Sequence, residues 1–446
     1  MSIPELKQFH SRRARLARAM GTAVAIIPTA SEQLRNADTH FPYRWDSHFH
    51  YLTGFPEPDA VLVIVANARK APRSLLFCRP KDAAQEVWDG FRVGPRAAPK
   101  HFGVDEAYPI DKLDDMMPKL LANCPAVYTF LGSNTLGSDP IKTGSDPKLM
   151  QWINAVREQK RAGVTAPTQI NDVRALIDEM RLIKDASEIK MMKQAAAISV
   201  SAHKRAMRYT AANRYEFEIE AELLHEFRRN GATGPAYPSI VAGGANACVL
   251  HYVENSDRLK AGDLLLIDAG CEWQGYASDI TRTYPVSGKF SAAQRALYDV
   301  VWAAQNAALN MIKPGAHFSA YHDAAVRVLA RGLIDLKCCR GTVDAVVESG
   351  SYREFYMHRT GHWLGRDVHD VGDYTVAGQS RRLQPGMVVT VEPGLYIRPS
   401  SKAPKHLHNI GIRLEDDVVV TKTGHTMITS GAPRSADDIE AWMAGA

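Results

Sequence analysis

The chain has few of the features that mark secreted or membrane-spanning proteins. Its six cysteines in 446 residues include no C-x-x-C pair, so neither a disulfide framework nor a cysteine-rich zinc site is expected. No run of about 18 apolar residues occurs, and the early apolar segment GTAVAIIPTA is short, broken by Pro28 and preceded by a charged stretch. We therefore predict a cytoplasmic protein with no membrane partner.

An excess of charge is also lacking. The 54 Lys and Arg residues and 49 Asp and Glu residues leave a net charge of +5, which is small for this length. Basic residues do cluster in SRRARLARAM near the start, but they alternate with alanine and leucine at helical spacing. That spacing predicts a solvated helix face, so no nucleic-acid partner is expected.

The length allows two or three domains, and the pattern changes along the chain. Up to about residue 170, short β-like runs such as AVLVIVAN alternate with helical segments, which predicts an α/β arrangement. From about Asp185, long helices alternate with strand pairs. We predict an α+β protein in which a smaller N-terminal α/β domain, residues 1–174, precedes a domain of residues 175–446 with a helix-covered antiparallel sheet.

Capping-box spacing predicts where three of the C-terminal helices begin. The pairs are Asp185 with Glu188, Asn213 with Glu216, and Ser291 with Gln294.

The stretch LLLIDAGCEWQGYASDITRTYP places two aspartates in a predicted hairpin. If Gln274 and Gly275 form a two-residue loop, Asp268 pairs with Thr281. Asp279 then lies two residues from Thr281 and on the same face, so the two carboxylates are neighbours that repel each other. Aspartates facing water on an edge hairpin are the ordinary alternative. The apolar run before Asp268 favours a buried strand instead, where an unpaired carboxylate is costly.

Three further polar residues occur in similar surroundings. Glu392 follows the apolar run MVVTV, Glu415 follows GIRL, and His362 stands in a segment with three histidines. Each alone has an ordinary explanation, a solvated strand end or a hydrogen-bonded core histidine. Together, the four carboxylates balance the charge of two divalent cations. The added imidazole suits Mn, Fe, Co or Zn better than Ca or Mg. Such a site activates water and polarises a carbonyl, which is the chemistry of hydrolysis.

The spacing of His358 and His362 also matches the H-E-x-x-H motif of zinc proteases. That motif is excluded, because Arg359 stands where the glutamate is required and Gly361 weakens a helix there.

The ordered set in IDAGCEWQGYASDITRTYP, GHWLGRDVHD, TVEPGLY and GIRLEDD resembles the metal-binding set of the M24 metallopeptidases. Within that family, ACVLHYVEN and FPYRWDSHFHYLTGFPEPDAVLVI are similar to the aminopeptidase P group, and the likeness extends from about Arg35 to the 430s. The resemblance implies a C-terminal pita-bread catalytic domain, a non-catalytic N-terminal domain, and two metal ions, usually Mn²⁺ with Co²⁺, Zn²⁺ or Fe²⁺ as alternatives. The implied reaction releases the first residue of peptides that have proline second.

The resemblance also implies a role for each metal-binding residue. Asp279 and Glu415 would bridge both ions. Asp268 would complete the coordination of one ion, and His362 with Glu392 that of the other. Glu392 would in addition transfer the proton of the attacking water, as a general base and acid.

Further positions match residues around the substrate. His251 and His369 would contact substrate and stabilise the tetrahedral intermediate, and His358 would line the pocket for proline. Arg413, two residues before Glu415, would hold a carboxylate in place, and Tyr396 is a plausible hydrogen-bond donor near it.

Trp88 matches a tryptophan that reaches into the active site of a neighbouring subunit. That reading implies a homotetramer or dimer, while the alternative is a tryptophan buried in its own domain. Prolidase, which cleaves only Xaa-Pro dipeptides, is the main rival for the function. Methionine aminopeptidase is a weaker rival because it usually lacks the long N-terminal domain, and a metal-free binding protein on the same fold would have lost ligands that are present here.

Overall fold

The computed structural model describes residues 3–132 and 147–445. It separates into two compact units, Met1–Met180 and Arg181–Ala446, each with its own hydrophobic core. The division predicted after residue 174 falls at the start of helix α7 (Arg174–Leu182).

The first unit is built on a mixed sheet in the order β6-β5-β4-β1-β7-β8. Its strands are β1 (Ala23–Pro28), β2 (Leu34–Asn36), β3 (Thr39–His40), β4 (Val61–Asn67), β5 (Lys70–Cys78), β6 (Glu106–Pro109), β7 (Ala126–Thr129) and β8 (Gln169–Asp172), with β2 and β3 forming a separate pair. Its helices are α1 (Ile3–Met20), α2 (Ser47–Thr53), α3 (Ala83–Asp89), α4 (Ala98–Phe102), α5 (Leu113–Leu121), α6 (Pro147–Arg157) and most of α7.

Strand β1 shows why this sheet is buried on both faces. Ala25 and Ile27 belong to one hydrophobic cluster, whereas Val24 and Ile26 belong to another. Alternate side chains of a strand point to opposite faces, so helices cover both sides of the sheet. The apolar segment GTAVAIIPTA is therefore a central strand of a globular unit.

The prediction that the basic residues of α1 lie on a solvated face was wrong for two arginines. Arg12 and Arg13 are 7% and 3% exposed, respectively. Their guanidinium groups donate to the carbonyl oxygens of Tyr51 and Leu52 in the last turn of α2. Sequence spacing could not predict this, because the accepting carbonyls lie 39 residues away.

The second unit combines long helices with antiparallel strand pairs. Its helices are α8 (Ala186–Tyr209), α9 (Glu216–Arg229), α10 (Ala292–Met311), α11 (Phe318–Asp335), α12 (Val343–Ser349) and α13 (Ala436–Met443). Its strands are β9 (Gly234–Pro235), β10 (Ile240–Gly243), β11 (Leu264–Asp268), β12 (Cys271–Trp273), β13 (Tyr276–Ala277), β14 (Thr281–Pro285), β15 (Thr375–Val376), β16 (Gln379–Ser380), β17 (Val388–Val391), β18 (Gly394–Ile397), β19 (Ile410–Arg413), β20 (Asp416–Val420) and β21 (His425–Met427).

Two of the three predicted capping boxes are present. Asp185 and Ser291 each accept hydrogen bonds from the backbone of the first helical turn, in α8 and α10. The third prediction was wrong: α9 begins at Glu216, and the residue before it, Tyr215, donates its backbone N–H to Glu218. Asn213 instead has a φ of 71° and donates its N–H to the carbonyl of Leu259.

The hairpin has the predicted register. Trp273 pairs with Tyr276 around the Gln274–Gly275 loop, and Asp268 pairs with Thr281. The strand is interrupted between β13 and β14, so Asp279 lies in the break and not in the ladder. The break releases Asp279 from cross-strand pairing, and its backbone N–H donates to a carboxylate oxygen of Asp417.

The mixed helix and sheet content confirms the predicted α+β class. Helices α8 to α11 share one hydrophobic cluster with residues of β11, β14, β17 and β19. Across residues 3–132 and 147–445, we find no helix with the length and apolar character needed to span a membrane.

Candidate active site

Strand ends in the second unit carry most of the predicted metal ligands. Asp268 is the last residue of β11, Glu392 follows β17 directly, and Glu415 lies between β19 and β20. Asp279 occupies the break described above, and His362 lies in an irregular segment before β15. All five line one cavity of about 940 Å³.

Three of these side chains approach closely enough to share one ion. Ligand atoms of Asp279, His362 and Glu415 all lie within 4.8 Å of one another. The Nε2 atom of His362 is 3.5 Å from Asp279 Oδ2 and 3.6 Å from Glu392 Oε1. Asp268 is held beside Asp279 because the hydroxyl of Tyr237 contacts both carboxylates.

The charges of this cluster are poorly balanced. Burial, together with Asp279 and Asp268, raises the pKa of Glu392 to about 7, although His362 and Arg413 oppose the shift. Burial and the neighbouring carboxylates also raise the pKa of Glu415 well above its usual value. Buried carboxylates that repel one another need cations between them, and oxygen ligands with one imidazole suit a divalent transition metal.

The imidazole of His362 is oriented for ligation through Nε2. Its Nδ1 lies 2.9 Å from the carbonyl oxygen of Trp363, to which it donates. The backbone N–H of His362 donates to Thr390 Oγ1 on β17. A histidine whose other ring nitrogen is hydrogen-bonded in this way is the usual arrangement at metal sites.

Arg413 contacts Asp268 directly and Glu415 through the hydroxyl of Thr281. Its Nη2 donates to Asp268 Oδ2 at 2.7 Å, and its Nε donates to Thr281 Oγ1 at 3.2 Å. The Thr281 hydroxyl donates in turn to Glu415 Oε2 at 2.7 Å. Arg413 also donates to the hydroxyl of Tyr396 through Nη1. The arginine therefore fixes the orientation of Asp268 directly and of Glu415 through one hydroxyl.

The predicted substrate histidines line the same cavity. The ring of His369 lies 4.4 Å from the ring of His362, and His251 is exposed to the cavity. His358 Nε2 accepts from the hydroxyl of Tyr396 at 2.8 Å, and burial lowers the pKa of His358 to about 3. His358 is therefore a neutral imidazole. Tyr396 contacts His358 from the protein side and is not one of the residues that line the cavity.

The loop that carries His251 is held by a glutamate outside the predicted set. Glu216, at the start of α9, is fully buried and accepts four hydrogen bonds. The donors are Gly243 N, Asn246 Nδ2, Tyr252 OH and Asp257 N. These donors lie on both sides of His251 along the chain, so one carboxylate closes the loop 243–257.

Trp88 is not part of this cavity. It lies on α3 of the first unit with 83% of its surface exposed, next to Val87 and near Phe91, which are 80% and 92% exposed. The alternative of a tryptophan buried in its own domain was therefore wrong.

Sequence reasoning missed Tyr237, Thr281 and Glu216. The predicted hairpin register placed Thr281 opposite Asp268, but it assigned no role to the hydroxyl that donates to Glu415. Tyr237 stands 31 residues before Asp268, in a segment without periodicity. Its position depends on the packing of β9 and β10 against the hairpin, which no local pattern encodes.

Comparisons with known proteins agree with this geometry. The model of metallopeptidase family M24 matches residues 190–422, and the model of the aminopeptidase P N-terminal domain matches residues 9–128. The chain is 42% identical over 448 residues to a Xaa-Pro aminopeptidase from Escherichia coli, covering 100% of this chain and 99% of the relative.

Solved structures give the same result. An aminopeptidase from Pseudomonas aeruginosa is 46% identical, with a TM-score of 0.94 and coverage of 99% of this chain and 98% of that chain. A zinc-substituted aminopeptidase P from Escherichia coli, solved in complex with product, has a TM-score of 0.94 at 40% identity, with the same coverage.

Proposed function

Because the chain belongs to the M24 metallopeptidase family and carries an aminopeptidase P N-terminal domain, we infer that it is a metal-dependent Xaa-Pro aminopeptidase. Such an enzyme releases the first residue of peptides in which proline is second. The observation that carries this function in the molecule is the approach of Asp279, His362 and Glu415 within 4.8 Å in a cavity large enough for a peptide. The fold class and reaction predicted from the sequence are confirmed.

The donor set supports two divalent ions, and we propose Mn²⁺ for both, with Co²⁺, Zn²⁺ or Fe²⁺ as alternatives. Asp279 and Glu415 would hold both ions, Asp268 one of them, and His362 with Glu392 the other. The negative charge of the four carboxylates equals the positive charge of two such ions, and the buried Arg413 adds one further positive charge. When bound, the metal supplies a Lewis acid and makes water nucleophilic near neutral pH.

The chain's own residues supply proton transfer and positioning. Glu392 would take the proton of the attacking water and return it to the leaving amine, a role that suits a carboxylate beside the nucleophile. His251 and His369 would donate hydrogen bonds where negative charge develops on the reacting carbonyl. The neutral His358, backed by Tyr396, offers an uncharged ring surface for the substrate proline.

Trp88 supports assembly with further copies of this chain. The exposed cluster of Val87, Trp88 and Phe91 is an apolar surface that an isolated subunit would leave in water. We propose that it contributes to a dimer or tetramer in which Trp88 reaches the cavity of another subunit. The six free, buried cysteines are consistent with a reducing compartment, and we propose a cytoplasmic location.

A comparison of two peptides tests the function and separates it from prolidase. The metal-stripped protein would be incubated with Arg-Pro-Pro and with Ala-Pro, with and without Mn²⁺, and release of the first residue followed. Mn²⁺-dependent cleavage of the tripeptide is expected. Cleavage of the dipeptide alone would assign prolidase instead, and cleavage of neither peptide by metal-loaded protein would contradict a peptidase function.

A further inference from the structure

A histidine outside the predicted site also lines the cavity. His322 lies in the second turn of α11 and shares the cavity wall with His358. It is partly buried, and its Nδ1 lies 2.8 Å from Thr360 Oγ1. None of the motifs that identified the metal site contains it, and the mechanism above does not use it.

The hydrogen bonds of Thr360 determine which nitrogen of His322 carries the proton. Thr360 Oγ1 lies 2.7 Å from the hydroxyl of Tyr356, a buried group with no other hydrogen-bond partner in the described part of the chain. The Tyr356 O–H therefore donates to Thr360, and the Thr360 O–H donates to His322 Nδ1. Burial lowers the pKa of His322 to about 4, so the ring is neutral and its proton resides on Nε2.

His358 and His322 both line the cavity and share Tyr356 as a neighbour behind the wall. His358 Nδ1 is 3.7 Å from Glu392 Oε2. The ring of Tyr356 lies 4.8 Å from that of His358, and the ring of His322 lies 6.0 Å from that of Tyr356. A peptide with its first peptide bond at Glu392 and its proline beside His358 would therefore reach His322 with the residue that follows proline.

We propose that the Nε2–H of His322 binds the main-chain carbonyl oxygen of the residue after proline. This Nε2 has no partner among the described residues, and its N–H can donate to a carbonyl or carboxylate oxygen of a peptide in the cavity. The inference rests on the proposed aminopeptidase function and deepens it. It makes His322 a specificity residue that favours peptides of three or more residues over Xaa-Pro dipeptides.

Two substrates that differ in one carboxamide group test this contact. Ala-Pro-glycinamide has the third carbonyl, whereas Ala-Pro-ethylamide lacks it. We expect the Mn²⁺-loaded enzyme to prefer the glycinamide about fivefold in kcat/KM, mainly through KM, as one hydrogen bond would give. In His322→Phe, which keeps a ring but removes the N–H, the preference should fall to about one. An unchanged preference in His322→Phe would overturn the proposal.

Thr360 provides a second test that leaves α11 unaltered. Thr360→Val removes the hydroxyl at nearly constant shape and frees the His322 tautomer, so the preference should decrease. Thr360→Ser restores the hydroxyl and should restore the preference, which a purely structural role would not require. Arg331→Ala, at an exposed position further along α11, is the matched control and should keep it. Equal preferences for the glycinamide in wild type, Thr360→Val, Thr360→Ser and Arg331→Ala would contradict the proposal.

A further substrate distinguishes the two sources of the acceptor. If Ala-Pro-Gly with a free carboxylate loses more than the glycinamide on His322→Phe, the terminal carboxylate is bound, and equal losses assign the internal carbonyl. Arg359 lines the cavity and would favour the carboxylate. Wild-type enzyme that cleaves both amides equally would refute the contact alone, whereas metal-loaded enzyme that cleaves neither would refute the proposed function itself.

Discussion

Arg413 Nη2 lies 2.7 Å from Asp268 Oδ2, and their side chains are 5% and 14% exposed beside three further carboxylates. The guanidinium offsets one negative charge of the cluster. It also orients Asp268, which would bind one of the two ions.

Arg413→Lys tests orientation without changing charge. Lysine keeps the positive charge but lacks the planar fork that contacts Asp268, Thr281 and Tyr396 together. We expect the affinity for Mn²⁺ to fall about tenfold or more, as measured by calorimetric titration of the metal-stripped protein. Unchanged affinity would mean that Arg413 acts through charge alone.

Glu216→Gln should loosen the loop that carries His251. The NH₂ group of the new amide cannot accept a hydrogen bond. It would therefore leave two donors unsatisfied, either Gly243 N and Asn246 Nδ2 or Tyr252 OH and Asp257 N. We expect kcat/KM to fall about tenfold. In a His251→Ala background the same change should cost much less, and equal losses in both backgrounds would show that Glu216 acts independently of His251.

Asp370→Asn should destabilise the second unit in a pH-dependent way. Burial by itself would raise the pKa of Asp370, but Lys184 and Arg181, which contact its oxygens at 2.8 and 2.6 Å, lower it below the usual value. A carboxyl group with a lowered folded-state pKa stabilises the protein above its unfolded pKa of about 3.9, and this stabilisation is lost as pH falls through the folded value.

Urea denaturation of wild type and Asp370→Asn at several pH values measures this effect. At pH 7 the variant should lose about 3 kcal/mol or more of unfolding free energy, because the buried Lys184 loses its carboxylate partner and the buried Arg181 keeps only Asp367. The difference should shrink below about pH 4. A difference that stays constant down to pH 3 would exclude the ion pairs as its cause.

Trp88→Glu should shift the assembly toward smaller species. A carboxylate in the centre of an apolar contact is costly to bury, so association should weaken. Sedimentation velocity of wild type and variant measures the change, and Arg69→Glu, at another exposed position of the first unit, serves as the charge control. If both variants sediment as the wild type does, the cluster around Trp88 is not the interface.

Local rules predicted the parts of the fold and site that depend on neighbouring residues. The two-residue loop set the hairpin register, and the capping boxes of α8 and α10 lie within one helical turn. The metal-binding residues were proposed because buried acids at strand ends are unusual and because their order resembles a known family. The sequence could therefore indicate both the reaction and the residues that we propose for it.

The supporting contacts could not be predicted in the same way. Thr281 reaches Glu415 across 134 residues and Arg413 reaches Asp268 across 145, so only the folded chain brings them together. Glu216 was interpreted as part of a capping box, whereas it is buried as the acceptor of four hydrogen bonds. His322 and Thr360 belong to different elements, and their contact follows from tertiary packing.

A Mn²⁺ titration of the metal-stripped enzyme tests whether a two-ion site that includes Asp279 carries out the reaction. Release of the first residue of Arg-Pro-Pro would be measured at increasing metal-to-protein ratios, for wild type and for Asp279→Asn. We expect no turnover without metal, saturation near two equivalents of Mn²⁺ for wild type, and almost no turnover at any ratio for the folded variant. Full turnover by metal-free wild type, or near-normal turnover by Asp279→Asn, would contradict this expectation.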